Sequence, residues 1–230
     1  MEPETAIDQK LKIMTHPTVV TPPHPLIADA LAICRDKNTG VVAFRAAVAN
    51  LGRHLCYEIC ADWLPTVQSE VETPTGMTAS VSRVDNSSRV EIVPILRAGL
   101  ALVEGVLPLL PDAKILHVGY RRDEETARAT CYLTGLPEQM PPGTRILILE
   151  PMLATGGTLI QVLDALTQSG ADISLVRVLS ILASQTALEN IGAKYPGVTI
   201  FCGGVDAGLN ERAFILPGLG DAGDRAFGTE

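Results

Sequence analysis

From residue 90 onward the chain alternates two kinds of segment, and that alternation leaves few folds open. "RVEIVPIL", "AKILHVGYRR", "RILILE", "ISLVRVLSIL" and "GVTIFCGGVD" are near-continuous aliphatic runs. "AGLALVEGVLPLL", "TLIQVLDALTQSG" and "SQTALENIGAKY", set among them, carry apolar residues at helical spacing. Runs that are apolar at every position suit strands buried on both faces, and segments of 3.6-residue period suit the helices that cover them. The expected class is therefore α/β, a doubly wound parallel sheet. Such sheets keep their ligands outside the carboxyl ends of the strands.

The first 90 residues read differently. Residues 1–25 are proline-rich and end in "THPTVVTPPHPL", which predicts an extended N-terminal arm lying on the body or on a partner subunit. In residues 26–64, Val41, Phe44, Val48, Leu51, Leu55 and Ile59 recur every three or four positions and predict helices with one apolar stripe. "ETPTG" and "DNSS" mark turns within residues 65–89, the place for a small antiparallel excursion. Residues 26–230 are expected to form one domain.

Charge and composition exclude several classes. A net charge of -8 is wrong for a general nucleic-acid binder, which needs a broad basic surface. An anionic ligand would have to be met by a few arginines or by backbone N–H groups. The longest apolar stretch, "VPILRAGLALVEGVLPLL", holds Arg97, Glu104 and two prolines and does not suit a membrane span. "MEPETAIDQK" does not read as a secretory signal. The 5 cysteines show no metal-site rhythm, although Cys56 and Cys60 would share a helix face, so reduced and mostly buried thiols in a cytoplasmic protein are expected. No histidine pair has metal spacing either, and His117 is expected to pack within its strand.

The strand "RILIL" delivers Glu150 to a loop of small residues, and a helix begins at Thr158. Gly156 and Gly157 lack Cβ atoms, so the backbone turns tightly there and an anion can approach its N–H groups. The helix start adds unpaired donors and partial positive charge, and Thr155 and Thr158 add hydroxyls. The loop has neither the lysine of a P-loop nor the three-glycine dinucleotide pattern, which favours a monophosphate. On chemistry alone a plain strand-to-helix turn stays open. A valine at Gly156 is expected to crowd the phosphate-facing backbone and leave the fold intact.

The segment Glu150, Pro151, Met152, Leu153, Ala154, Thr155, Gly156, Gly157 and Thr158 resembles the phosphoribosyl-diphosphate signature of uracil phosphoribosyltransferases. "VPILRAGLALVEGVL" resembles the segment whose arginine, here Arg97, meets diphosphate. "YRRDEET" resembles the mobile loop, with Arg122 at its diphosphate-binding arginine and a lid over about residues 120–140. "GLNERAFILPGLGDAGDRAFGTE" resembles the C-terminal uracil hood, at about residues 206–230. The resemblance implies transfer of the phosphoribosyl group of 5-phosphoribosyl 1-diphosphate (PRPP) to uracil, giving UMP and diphosphate, with Mg²⁺ held mainly through PRPP and water. It places Arg97, Arg122, Glu150 and Asp221 in catalysis. The nine signature residues join Arg97, Arg122 and Asp221 in binding PRPP. Ile215, Gly220, Asp221 and Ala222 fall at the uracil site, read through main-chain amides and carbonyls. It further implies a homodimer or larger homo-oligomer and leaves room for activation by GTP. The chain departs from the pattern at Glu150 (usually Asp), Thr158 (usually Ser), Arg121 (usually Tyr) and Phe214 (usually Tyr). A PRPP- or UMP-binding regulator and a weakly active homologue are the other readings of the same fold.

Overall fold

The computed structural model describes residues 17–122 and 129–229. β1 (Thr18–Val20) precedes α1 (Pro25–Arg35), α2 (Val41–Trp63) and the hairpin β2 (Thr66–Glu72) and β3 (Thr78–Val84). Next come β4 (Val90–Leu96), α3 (Leu100–Val106), β5 (Lys114–Ile115), β6 (Val118–Arg122) and β7 (Ala129–Thr134). They are followed by β8 (Arg145–Leu149), β9 (Met152–Leu153), α4 (Gly157–Gln168), β10 (Val176–Ser184), α5 (Gln185–Lys194) and β11 (Thr199–Asp206). β12 (Gly208–Leu209), β13 (Ile215–Leu216) and α6 (Ala222–Phe227) complete the described elements.

Among the described residues nine strands form one sheet, ordered β1-β11-β10-β8-β4-β6-β7, with β5 beside β4 and β9 beside β10. All of its pairs are parallel except β6 with β7. The doubly wound parallel sheet expected from the sequence is present, with one antiparallel edge. β8 shows why the centre is aliphatic, since Ile146, Leu147, Ile148 and Leu149 are all fully buried. Ile146 and Ile148 pack with Val93, Ile95 and the apolar face of α4, Leu159, Val162, Leu163 and Leu166. Leu147 and Leu149 point the other way, to Ile92 and the stripe of α2. Alternation along one strand thus supplies both layers of core.

The hairpin β2–β3 is the expected antiparallel excursion. Of the expected arm, residues 17–25 are described, Pro25 as the start of α1, and β1 extends the sheet by pairing with β11, Thr18 against Thr199. Two predicted strands come out shorter. "AKILHVGYRR" splits into β5 and β6, and His117 at the break is exposed rather than packed. Its carbonyl accepts the Gly135 N–H (2.8 Å), just past β7, while β5 and β6 both pair with β4. "ISLVRVLSIL" opens with a 3₁₀ turn at Ile173–Leu175, where the Asp172 carboxylate accepts the Ser174 N–H. All five cysteines are free; Cys34, Cys56 and Cys202 are buried, and burial pushes the Cys34 thiol up to about 12. Among the described residues no helix is long and apolar enough to cross a membrane.

Candidate active site

Past the end of β8 the Glu150 N–H still pairs with Leu179 O (3.1 Å), β9 follows, and the chain turns through Ala154, Thr155 and Gly156 into α4. Gly156 sits at φ 78°, in the left-handed region, and no side chain caps the helix. Glu150, Met152, Leu153, Ala154, Thr155, Gly156, Gly157 and Thr158 surround a cavity of about 150 Å³. Pro151 is the signature residue that does not line it; it is buried.

Three carbonyls of this loop are tied back into the fold. Pro151 O accepts from Ser180 Oγ (3.1 Å), Ala154 O from Ser184 Oγ (2.5 Å) and Thr155 O from Asn190 Nδ2 (3.0 Å). In a trans peptide the C=O and the next N–H point in opposite directions. With the carbonyls of Ala154 and Thr155 turned toward β10 and α5, the N–H groups of Thr155 and Gly156 turn to the other side. That is the arrangement of an anion-binding nest at a helix start. Reading of the sequence missed Ser180, Ser184 and Asn190. The available signal was two hydroxyls in a strand that is otherwise apolar apart from Arg177.

A second cavity of about 510 Å³ opens at the end of the neighbouring strand β4, lined by Leu96, Arg97, Ala98, Tyr120, Arg121, Tyr132, Asp221 and Gly223. The site residues Arg97 and Asp221 therefore line one cavity. Arg97 Nη2 lies 3.1 Å from Asp224 Oδ1, and Nη1 donates to Thr229 Oγ1 (3.4 Å). Asp221 caps α6, its carboxylate accepting the Asp224 N–H (2.9 Å). Tyr132 sits at a bulge of the β6–β7 ribbon, its ring packed so closely that a Cβ at Gly119 would fall 2.5 Å from it. Arg122 is the last residue of β6, in register with Ala129. Residues 123–128 of the expected lid lie outside the described residues. Asp224, Thr229 and Tyr132 were not predicted as site residues.

The hood is fastened from below. Asp206, at the end of β11, accepts two bonds from Arg35 of α1 (2.9 and 2.7 Å) and one from the Gly218 N–H (2.9 Å). The Arg35 guanidinium holds the Asp206 carboxyl below the usual carboxylate range. Arg225 of α6 donates to the carbonyls of Leu219 and Asp36 (2.7 Å each) and to Cys34 O, and stacks 4.3 Å from the Phe44 ring centre. Two arginines thus clamp a segment too rich in glycine to form long elements. Gly220 and Asp221 are exposed beside the Arg97 cavity, whereas Ile215 and Ala222 bury their side chains in the core. The last two have only main chain to offer a ligand.

A sequence model described as "Uracil phosphoribosyltransferase" matches residues 20–229, through strand, loop, ribbon and hood. The chain belongs to the uracil phosphoribosyltransferase family. The uracil phosphoribosyltransferase of Synechococcus elongatus is 51% identical over 92% of this chain and 97% of that protein. The family member of Nicotiana tabacum is 44% identical over 92% and 94%. Among solved structures, the AQ2163 protein of Aquifex aeolicus superposes with a TM-score of 0.81 at 37% identity, covering 91% of this chain and 98% of that one. Adenine phosphoribosyltransferase of Trypanosoma brucei shares the fold at a TM-score of 0.53 and 12% identity.

Proposed function

We propose that this chain is a uracil phosphoribosyltransferase that converts uracil and PRPP to UMP and diphosphate, a step of pyrimidine salvage. The observation that carries the reading is that Arg97 and Asp221 line one cavity at the end of β4, while at the end of the neighbouring β8 the loop turns the N–H groups of Thr155 and Gly156 away from the fold, in a member of this family. In this reading the loop from Glu150 to Thr158 holds the 5-phosphate, and the Glu150 carboxylate accepts from the ribose hydroxyls. Arg97 and Arg122 take the diphosphate, and Asp221 serves ribose and base together. The main chain at Ile215, Gly220, Asp221 and Ala222 reads uracil by a donor–acceptor–donor pattern.

The bond from the anomeric carbon to the diphosphate oxygen breaks, and its electron pair leaves on diphosphate. Uracil N1 then bonds that carbon, and the N1 proton passes to the departing diphosphate. The arginines stabilise the negative charge growing on the leaving group. Holding N1 against the carbon with water excluded supplies much of the remaining acceleration. Among the described residues no group of three acids, histidines or cysteines is placed to cage a metal. Glu150 and Asp221 nevertheless suit Mg²⁺ that arrives on PRPP with its own water shell. When bound, Mg²⁺ neutralises diphosphate charge. We also read residues 1–25 as an arm, residues 26–230 as one domain with the hood at about 206–230, the assembly as a homo-oligomer, GTP as a candidate activator, and the location as cytoplasmic.

Formation of UMP from labelled uracil and PRPP tests the reaction; no product would leave the regulator reading. Uracil should be turned over far better than cytosine. Cytosine puts an amine where uracil has an acceptor, and each buried group left unpaired costs about 1–3 kcal/mol, roughly ten- to a hundred-fold in rate. Equal kcat/KM for the two bases would refute the hood assignment. Glu150→Gln should lower kcat/KM for PRPP about tenfold, whereas Glu150→Asp should keep or raise it. A glutamine variant as fast as the parent would show that the carboxylate charge is not used.

A further inference from the structure

On the reading of Arg97 as a diphosphate contact, we propose that Asp224 is a positioning residue: it competes with diphosphate for the Arg97 guanidinium and so weakens the enzyme's hold on its product. Both terminal nitrogens of Arg97 are turned to the C-terminal segment, Nη2 to Asp224 Oδ1 and Nη1 to Thr229 Oγ1. The carboxylate is not there by chance of rotamer. Its residue stands in the first turn of α6, its N–H is bound by Asp221, and its Oδ1 accepts the Thr229 hydroxyl (2.7 Å). Asp221, Asp224 and Thr229 thus form one hydrogen-bonded chain behind Arg97.

The strength of the contact fits a competitor. The Arg97 side chain is 59% exposed and that of Asp224 25%. A pair this solvated is weak, so a more highly charged diphosphate displaces the carboxylate readily. Displacement still subtracts the energy of the pair from diphosphate binding. An enzyme whose product must leave before the next turnover gains from that subtraction when release limits the rate. When diphosphate departs, the carboxylate recaptures the guanidinium.

The test is calorimetric titration of the folded protein with inorganic diphosphate in excess Mg²⁺. Asp224→Asn is nearly isosteric and keeps an acceptor for Thr229, but drops the charge. It should tighten diphosphate roughly two- to five-fold, the span of an exposed ion pair, and the gain should shrink as salt is raised. In an Arg97→Ala background the same substitution should change little, because the competitor has nothing left to hold. Thr229→Val removes the hydroxyl that accepts from Arg97 Nη1 and holds the Asp224 carboxylate in place, so it loosens the same grip on Arg97 from outside the helix and should act in the same direction; it decides the matter if Asp224→Asn does not fold. A merely structural role for Asp224 predicts weaker binding. Unchanged or weaker diphosphate binding on loss of the charge overturns the proposal, as does an undiminished gain without Arg97. If Arg97→Ala itself leaves diphosphate affinity unchanged, the assignment of Arg97 falls and this proposal falls with it. If Arg97→Ala is damaging and Asp224→Asn is silent, only the competition is wrong.

Discussion

Gly156→Val should abolish measurable PRPP binding and also destabilise the fold. Gly156 holds φ 78°, where an L residue costs about 1–2 kcal/mol. A Cβ there would lie 3.0 Å from Ile191 Cγ1 and 3.1 Å from Ala187 O, both on α5. The new side chain therefore presses on the core and not into the cavity, so the sequence-based expectation of an untouched fold does not hold. Overpacking of this kind adds about 1–3 kcal/mol. The loop relieves the strain by moving, and the N–H groups of Thr155 and Gly156 lose their aim. Two charge-assisted bonds at about 1.5–3 kcal/mol each correspond to a loss of roughly a hundred-fold or more in affinity. Gly157→Ala is the control, because the nearest atom to its Cβ would be Thr155 Oγ1 at a comfortable 3.5 Å. It should melt like the parent, since it adds one methyl without strain. Titration with PRPP and thermal melts separate the two variants. Parent-like affinity in Gly156→Val would mean that the loop is only a turn.

What the sequence disclosed and what it withheld follow from the range of the interactions. β8, α4, β10 and α5 were legible because burial imposes a period, and a period is local. The stripe of α2 was legible for the same reason, and Phe44, Val48, Leu51, Leu55 and Ile59 are all buried. Gly156 stood out because its backbone conformation restricts residue type at a single position. Partnerships at long separation left no such mark. Asn190 reaches back to Thr155 O, and Arg97 crosses to Asp224 at the other end of the chain. An arginine in a sequence reads the same whether it meets solvent, carboxylate or substrate. The break at His117 escaped for a related reason: the partner of its carbonyl, the Gly135 N–H, lies 18 residues away and no apolar pattern around residues 113–122 encodes it.

Arg35 and Asp206 illustrate the same blindness at the base of the hood, and the second large effect is expected there. Asp206 is 7% exposed and takes three donors, two from Arg35 and one from Gly218. Arg35 Nη1 also donates to Gly218 O (2.9 Å), so a single ion pair fixes both polar groups of that glycine. Asp206→Ala leaves the Gly218 N–H and the guanidinium without their acceptor. Removing one partner of a buried pair costs about 3–5 kcal/mol; the Arg35 side chain is 29% exposed and can rehydrate in part, which brings the expectation to about 2–4 kcal/mol. In a chain of this size that corresponds to a drop in Tm of roughly 5–15 °C. Gly218 adjoins the stretch that reads uracil, so KM for uracil should rise about tenfold, the loss of one well-placed hydrogen bond, while KM for PRPP changes little. The pH dependence has a definite sign. The folded-state pKa of Asp206 is lowered, chiefly by its bonds to Arg35. Its stabilisation is therefore complete above the unfolded carboxyl pKa of about 3.9 and is lost as pH falls through the lower folded value. The gap in Tm between parent and Asp206→Ala should be widest at neutral pH and narrow below about pH 4. A gap that persists unchanged into acid would mean that the carboxylate charge does not fasten the hood, and an unchanged KM for uracil would separate the Arg35 clamp from base recognition.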